Sequence, residues 1–185
     1  MPLTGITSFG YTAAQDKALP YDVVQKCMDG VNALETAFIS GQARCSAFHN
    51  TTQSLTDSTE TALSFNSEDF DVGTLHDTST NNSRITVPAS NAGVYLAVGA
   101  AGFAPSATGL RYIVLRKNGT TKLAMVTMPS NTAGSGTIIQ VSACLSLAVA
   151  DYIEVIAFQS SGGALNVGHA TAREQQNSLQ LVRIW

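Results

Sequence analysis

The sequence predicts an all-β, antiparallel jelly-roll sandwich, preceded by an extended N-terminal arm and one short helix. Short strand-like segments recur from Ala43 onward, with turn residues between them and no helical pattern separating them. Several of them alternate apolar and polar side chains, which is typical of a strand with one wet face. The run Val94–Val98 is instead apolar on both faces, as expected of a strand that is covered on both sides.

The composition favours a chain that buries much of its surface in an assembly. Charged residues make up 12% of the 185 residues, about half the usual share of roughly 25%. A neutral surface on a monomer is the alternative. The net charge of −3 and the lack of a basic run argue against nucleic-acid binding. No apolar stretch is long enough to span a bilayer, so no membrane insertion is expected.

The cysteines suggest a protein made in a reducing cytoplasm without disulfides. Cys27, Cys45 and Cys144 are odd in number and show no CxxC or histidine-partnered spacing. The first ten residues, MPLTGITSFG, lack the charged start and apolar block of a signal peptide. Cys144 falls within a strand pattern, and we expect it in the core.

Residues 1–20 are predicted as an extended anchoring arm. They carry no hydrophobic period, and glycines and prolines punctuate them. Phe9 and Tyr11 favour an arm that docks on another protein, because disordered tails are usually poor in aromatic residues. A disordered tail is the alternative.

Residues 21–42 are predicted as a short helix and a linker. Pro20 suits the start of a helix, and Gly41 is a stop signal. Apolar side chains recur at steps of three and four residues, the a/d seam of a coiled coil. The seam consists of Val24, Cys27, Val31, Leu34 and Phe38. It predicts either a helical bundle around a symmetry axis or an amphipathic helix packed on its own β domain.

Residues 43–185 are predicted as the β domain. The expected strands are 43–49, 61–65, 84–87, 94–98, 110–117, 122–128, 139–147, 152–158 and 179–185. Leu63 and Phe65 should face inward, and Asn118-Gly119 is a strong hairpin turn. The last strand is again largely apolar on both faces. Its residues Leu181 and Trp185 should point to one side of the sheet.

The sequence shows no motif for catalysis, cofactor binding or metal binding, so no enzyme is predicted. A long loop, 66–83, concentrates the polar side chains with chemical potential. They are Glu68, Asp69, Asp71, His76 and Asp77. Carboxylate oxygens are ligands that Ca²⁺ prefers. The favoured interpretation is a solvated loop in which aspartates cap turns.

Several pieces of the β domain occur in a characteristic order and spacing. They are TALSFNSEDFD, LHDTSTNNSRITVPASNAGVYLAVGA, LRYIVLRKNGT, CLSLAVADYIEVIAF and SLQLVRIW. Together they resemble the C1q/TNF-like jelly-roll domain of tailed-bacteriophage virion proteins. The Pro-x-x-x-x-Gly-Val-Tyr segment is the most telling piece. Two features depart from the family pattern: Ala150 stands where a glycine is usual, and no collagen-like stalk precedes the domain.

The resemblance implies a tight homotrimer, with Tyr95, Leu181 and Trp185 between subunits. It implies a structural virion protein, a fibre knob or capsid decoration, that is anchored through residues 1–42 to another virion protein. The alternative function is a trimeric adhesin that binds a host surface receptor through exposed loops. The candidate loops are 66–83, 104–109, 130–136 and 159–168. A third hypothesis is an enzyme or a monomeric binding module.

Overall fold

The computed structural model describes residues 21–40, 42–131, 136–169 and 171–185, without the side chains of residues 34–40. The chain divides into two compact units, one that ends at Ile39 and one from Ser40 to Trp185. The predicted arm, with Phe9 and Tyr11, lies outside the described residues. So do the side chains of Leu34 and Phe38.

The first unit contains one helix, α1, from Tyr21 to Ser40. Asp22 lies in its first turn, where a negative charge interacts favourably with the helix dipole. Gln25 donates a hydrogen bond of 3.0 Å to Asp29 one turn later. On the predicted seam, Val24 and Val31 are 39% and 58% exposed. The seam therefore presents apolar surface along the first half of the helix.

The described part of the second unit forms twelve strands and one short 3-10 helix. The strands are β1 (Arg44–Phe48), β2 (Gln53–Leu55), β3 (Thr61–Ala62), β4 (Ser67–Val72), β5 (Arg84–Thr86), β6 (Gly93–Phe103), β7 (Leu110–Lys117), β8 (Thr121–Pro129), β9 (Thr137–Leu147), β10 (Tyr152–Gln159), β11 (Leu165–Val167) and β12 (Ser178–Arg183). The 3-10 helix spans Arg173–Gln175.

The strands form two antiparallel sheets. In the seven-stranded sheet, β6 pairs with β9 on one side and with β12 and then β11 on the other. β12 continues to β1 and β4, and β11 continues to β2. In the five-stranded sheet, β10 lies between β7 and the pair β3 and β5, and β8 pairs with β7. This arrangement confirms the predicted jelly-roll sandwich.

Local chemistry explains why the chain turns where it does. Asn118 and Gly119, between β7 and β8, have φ values of 52° and 73°. Positive φ at both central residues is the requirement of a type I′ hairpin turn, and Asn-Gly meets it with little strain. The predicted hairpin is therefore confirmed.

The core lies between the two sheets, where inward side chains of both meet. Leu63 and Phe65 are fully buried, as predicted, and so are Ile113 and Leu115 of β7. In β9, Ile139, Val141 and Leu147 are at most 3% exposed. The alternation of apolar and polar residues along the sequence therefore places the correct residues in the core for these strands.

Three predictions about the β domain were wrong. The expected loop 66–83 begins with a strand, β4, which β1 holds through backbone pairing despite its acidic sequence. The expected strand 61–65 is regular only at Thr61–Ala62. Cys144 is exposed rather than buried, because it occupies an outward position of β9 between two inward ones.

Candidate functional site

The candidate site is the part of the seven-stranded sheet's outward side that β6, β9 and β12 form, here called the outer face. It consists of the outward side chains of β6, β9 and β12. Strand register places Leu96 of β6 opposite Cys144 of β9 and Val182 of β12. Two residues further along β6, Val98 lies opposite Ser142 and Gln180.

The outer face is uncharged and combines apolar side chains with neutral polar ones. Leu96 is 40% exposed and Ile138 53% exposed, while Val94, Val98 and Val182 are half-buried. No Asp, Glu, Lys or Arg occupies an outward position on the described parts of β6, β9 and β12. Exposed apolar side chains grouped on one face without charges among them are typical of interaction sites on proteins.

The corresponding side of the five-stranded sheet is chemically different. Arg116 Nη2 lies 3.0 Å from Glu154 Oε2, and Lys122 pairs with Glu60. The hydroxyl of Tyr112 donates a 2.8 Å hydrogen bond to Glu60, and burial together with this carboxylate raises the pKa of Tyr112 to about 12. Ion pairs of this type are usual on surfaces in contact with water.

Two of the three residues expected at a subunit interface are buried within the single chain. Tyr95 and Leu181 have no exposed surface in the single chain and pack in its core. The Tyr95 hydroxyl donates to the carbonyl of Asn91. Neither side chain has surface to offer to a second subunit. The residues that share their strands and face outward are Val94, Leu96 and Val182.

The third expected residue, Trp185, is 86% exposed. Its backbone is fixed, because its carbonyl accepts a 2.8 Å hydrogen bond from Val94 N, and Ile184 N donates one of 2.8 Å to Val94 O. A Cβ at Gly93 would collide with the Trp185 carbonyl. This close approach explains the glycine of the Gly-Val-Tyr segment.

The polar residues of loop 66–83 serve mainly to hold the chain. Asp71 accepts hydrogen bonds of 2.9–3.0 Å from the backbone of Leu75 and His76, and His76 Nδ1 lies 2.8 Å from Glu68. Asp77 accepts from the backbone of Ser79. Asp71 and Asp77 therefore cap turns, as predicted. Within the described ranges, no three His, Cys, Asp or Glu side chains are arranged to hold a metal ion.

No helix in the described part of the chain is long and apolar enough to cross a membrane. No protein-family profile and no curated protein sequence matches the chain.

Solved structures do match the chain. The globular domain of zebrafish complement 1qA protein aligns with a TM-score of 0.53 at 15% identity, over 77% of this chain and 98% of that one. Murine APRIL aligns with a TM-score of 0.56 at 14% identity, over 77% and 99%. Eiger TNF from S. frugiperda aligns with a TM-score of 0.51 at 14% identity, over 78% and 92%. The chain thus has the C1q/TNF-like jelly-roll fold.

Proposed function

We propose that the chain is a homotrimeric structural virion protein of a tailed bacteriophage, a fibre knob or capsid decoration located in the particle. The observation that carries the proposal is the uncharged outer face with its exposed apolar side chains, such as Leu96 and Ile138. Obligate subunit interfaces are more hydrophobic than ordinary surface and resemble a domain core cut in half. Domains with this fold are commonly trimeric, so the proposed occupants of the outer face are two further copies of the chain.

The distribution of charged side chains supports a trimer in which the seven-stranded sheet faces inward and the five-stranded sheet faces water. The outer face combines apolar side chains with uncharged polar ones, such as Ser142 and Gln180. The opposite side of the sandwich carries the ion pairs Arg116–Glu154 and Lys122–Glu60 and can remain in water. In the proposed trimer, the first surface is internal and the second is external.

Helix α1 would extend the same assembly. Val24 and Val31 expose apolar surface that a bundle of three helices around the symmetry axis would cover. Residues 1–20 would then anchor the trimer to another virion protein. The assignment to a virion is supported by the sequence pieces that resemble phage jelly-roll domains and by the low content of charged residues.

Receptor binding on the host surface is the second candidate function. Strand β6 begins at Gly93, which pairs with Leu147, and ends at Phe103, which pairs with Val167. The loops 104–109 and 159–168 both lie at this second end of the sandwich, away from the start of β1. The Leu110 amide donates a hydrogen bond to the Ser160 hydroxyl, which holds the two loops together. Loops at the end remote from an anchor are well placed to contact a host receptor.

The trimer can be tested by replacing Leu96 with lysine. We expect wild-type protein to have three times the subunit mass by light scattering and Leu96→Lys to lose association. The reason is that a charge in the centre of an apolar interface is desolvated without a partner. Met125→Lys is the matched control, because Met125 is 59% exposed on the outside of the five-stranded sheet.

We expect Met125→Lys to remain trimeric and both variants to keep the circular dichroism of the wild type. A monomeric wild-type protein would contradict the proposal. An equal loss of mass in both variants would place the interface elsewhere.

A further inference from the structure

An open surface cavity is lined by the loop that joins β4 to β5 and by β5 itself. Its volume is about 240 Å³. The loop crosses from the edge of the seven-stranded sheet to the five-stranded sheet, so the cavity lies on the side of the sandwich and away from the outer face. Most of the side chains around it are polar. Those that carry the inference are Thr74, Asp77, Thr80, Asn81, Arg84 and Thr86.

The cavity is preformed by hydrogen bonds within the loop. The Asp71 carboxylate holds the amides of Leu75 and His76, and Thr86 N donates a 2.8 Å bond to Leu75 O. The side chain of His76 is fully buried and lies 2.8 Å from Glu68. A ligand would therefore bind without the entropic cost of ordering the loop.

Arg84 supplies a fixed cation on the cavity. Its guanidinium lies 4.5 Å from the ring centroid of Tyr152, a cation–π contact that holds its orientation. Its Nε is buried and has no hydrogen-bond partner among the described residues. The buried Nε is not open to a ligand, so the contribution of Arg84 to the cavity is the positive charge of an oriented guanidinium.

Asp77 supplies a fixed anion on the same cavity. Its Oδ1 accepts hydrogen bonds of 2.9 Å from Thr80 N and 2.8 Å from both Ser79 N and the Ser79 hydroxyl. These donors lower the pKa of Asp77 to about 2, so the carboxylate is charged at neutral pH. Because the three bonds all reach Oδ1, the second oxygen, Oδ2, can accept from a ligand.

We propose that this cavity binds a neutral, hydroxyl-rich ligand, namely one sugar ring of a glycan. Each hydroxyl of a sugar both donates and accepts, which suits a lining with one cation, one anion, three threonine hydroxyls and the Asn81 amide. Asp77 disfavours an anionic ligand, and Arg84 disfavours a cationic one.

The size of the cavity supports the same class of ligand. It is smaller than the roughly 300–1,000 Å³ of pockets that hold drug-sized molecules, so one ring rather than an extended chain would fill it. All the groups belong to a single chain, and the proposal does not depend on the trimer.

Saturation-transfer NMR on the full-length protein tests the proposal. The probes are the methyl glycosides of glucose, galactose, mannose and N-acetylglucosamine, with methyl glucuronide and glycine as charged comparators. We expect at least one neutral glycoside to bind in the millimolar range. We expect Asp77→Asn and Arg84→Gln each to weaken that binding at least five-fold, because charge-assisted hydrogen bonds are lost.

Asp29→Asn, which changes an exposed carboxylate on α1, is the matched control and should bind as the wild type does. Thr80→Val removes a single exposed hydroxyl. It replaces Arg84→Gln as the test variant if Arg84→Gln lowers the melting temperature of the protein. We expect it to weaken binding at least two-fold. The proposal is overturned if no neutral glycoside binds, if only the glucuronide or glycine binds, or if the cavity variants bind as tightly as the control.

Discussion

Ala150 has a backbone conformation that alanine adopts at a cost. It precedes Asp151 in the turn between β9 and β10, with φ at 68°, and its amide donates a 2.9 Å hydrogen bond to Val87 O. The left-handed region costs an L-residue roughly 1–2 kcal/mol. The family that the sequence resembles usually has glycine at this position. The positive φ of the turn is the physical reason, because glycine adopts it without strain.

Replacing Ala150 with glycine should therefore stabilise the β unit. We expect Ala150→Gly to raise the free energy of unfolding by about 0.5–1 kcal/mol, the relief of strain less the added freedom of the unfolded chain. Urea unfolding at a fixed protein concentration measures the change. Ala148→Gly, in the same turn but without a positive φ, should instead lower it by a similar amount. A loss of stability in both variants would contradict the prediction.

Asp151 stabilises the same turn through its charge. Its carboxylate lies 2.6 Å from Lys117 Nζ and accepts hydrogen bonds of 2.7 Å from the Asn118 side chain and the Ala148 amide. The hydrogen bond from Lys117 contributes most to lowering the pKa of Asp151 from 3.8 to about 2. Because the folded pKa is below the unfolded one, the stabilisation is present above pH 4 and is lost as the pH falls towards 2.

The variant Asp151→Asn should lose this contribution. We expect its free energy of unfolding at pH 7 to be about 1–3 kcal/mol below that of the wild type. The difference should stay constant down to about pH 5 and shrink between pH 4 and pH 2. Ala148→Gly, which changes the same turn without changing a titratable group, serves as the control, and its difference from the wild type should not follow this pH trend. A difference that persists unchanged at pH 2 would rule out the carboxylate as its source.

Single residues of β6 and β12 show which feature could not be predicted from the sequence, namely the side of each strand that faces the core. The apolar residues on both faces of β6 and β12 predicted a covered outer face, and alternation placed Tyr95 and Leu96 on opposite sides. It did not tell which side faces the core, because both sides are apolar. That assignment depends on which strands of the other sheet pack against β6, and these are distant in the sequence.

At the scale of elements, the longer strands could be predicted and the short or acidic ones could not. β7, β9 and β10 each carry eight or more residues with a clear pattern, and the structure has them close to the predicted bounds. β2 and β11 have three residues each and stabilise one another by pairing. β4 is largely polar and depends on β1, with a register shift between Ser46 and Ala47. Such partners are not visible in a local pattern.

The cavity proposed to bind a sugar ring could not be predicted from the sequence either. The residues of loop 66–83 were recognised as a polar cluster, but Arg84 was counted only as part of a strand. The loop folds back so that Asp77 and Arg84 line one cavity, although seven positions separate them. A usable signal was an acidic residue and an arginine on either side of a segment rich in threonine and asparagine.

At the scale of the whole molecule, the proposal separates assembly from attachment. Removal of residues 1–42 should leave a trimeric β unit, because the outer face remains intact. Particles assembled with the truncated chain should lack the protein, because its anchor is missing. Light scattering of the purified protein and immunoblotting of purified particles measure the two outcomes. The full-length chain supplied in the same way is the control.

Two results would contradict this division. A monomeric 43–185 fragment would mean that the helical segment, and not the β unit, drives trimer formation. Normal incorporation of the truncated chain into particles would mean that attachment uses the β unit itself.

The position of β1 determines how a tethered β unit would carry mechanical load. β1 is the first strand after α1, and it lies between β12 and β4, with five paired positions on each side. Tension applied through the N-terminal segment runs along β1 and shears both ladders together. An edge strand would instead be peeled away one hydrogen bond at a time. A particle protein that is pulled at its anchor would thus load a strand that is paired on both sides, not an edge strand.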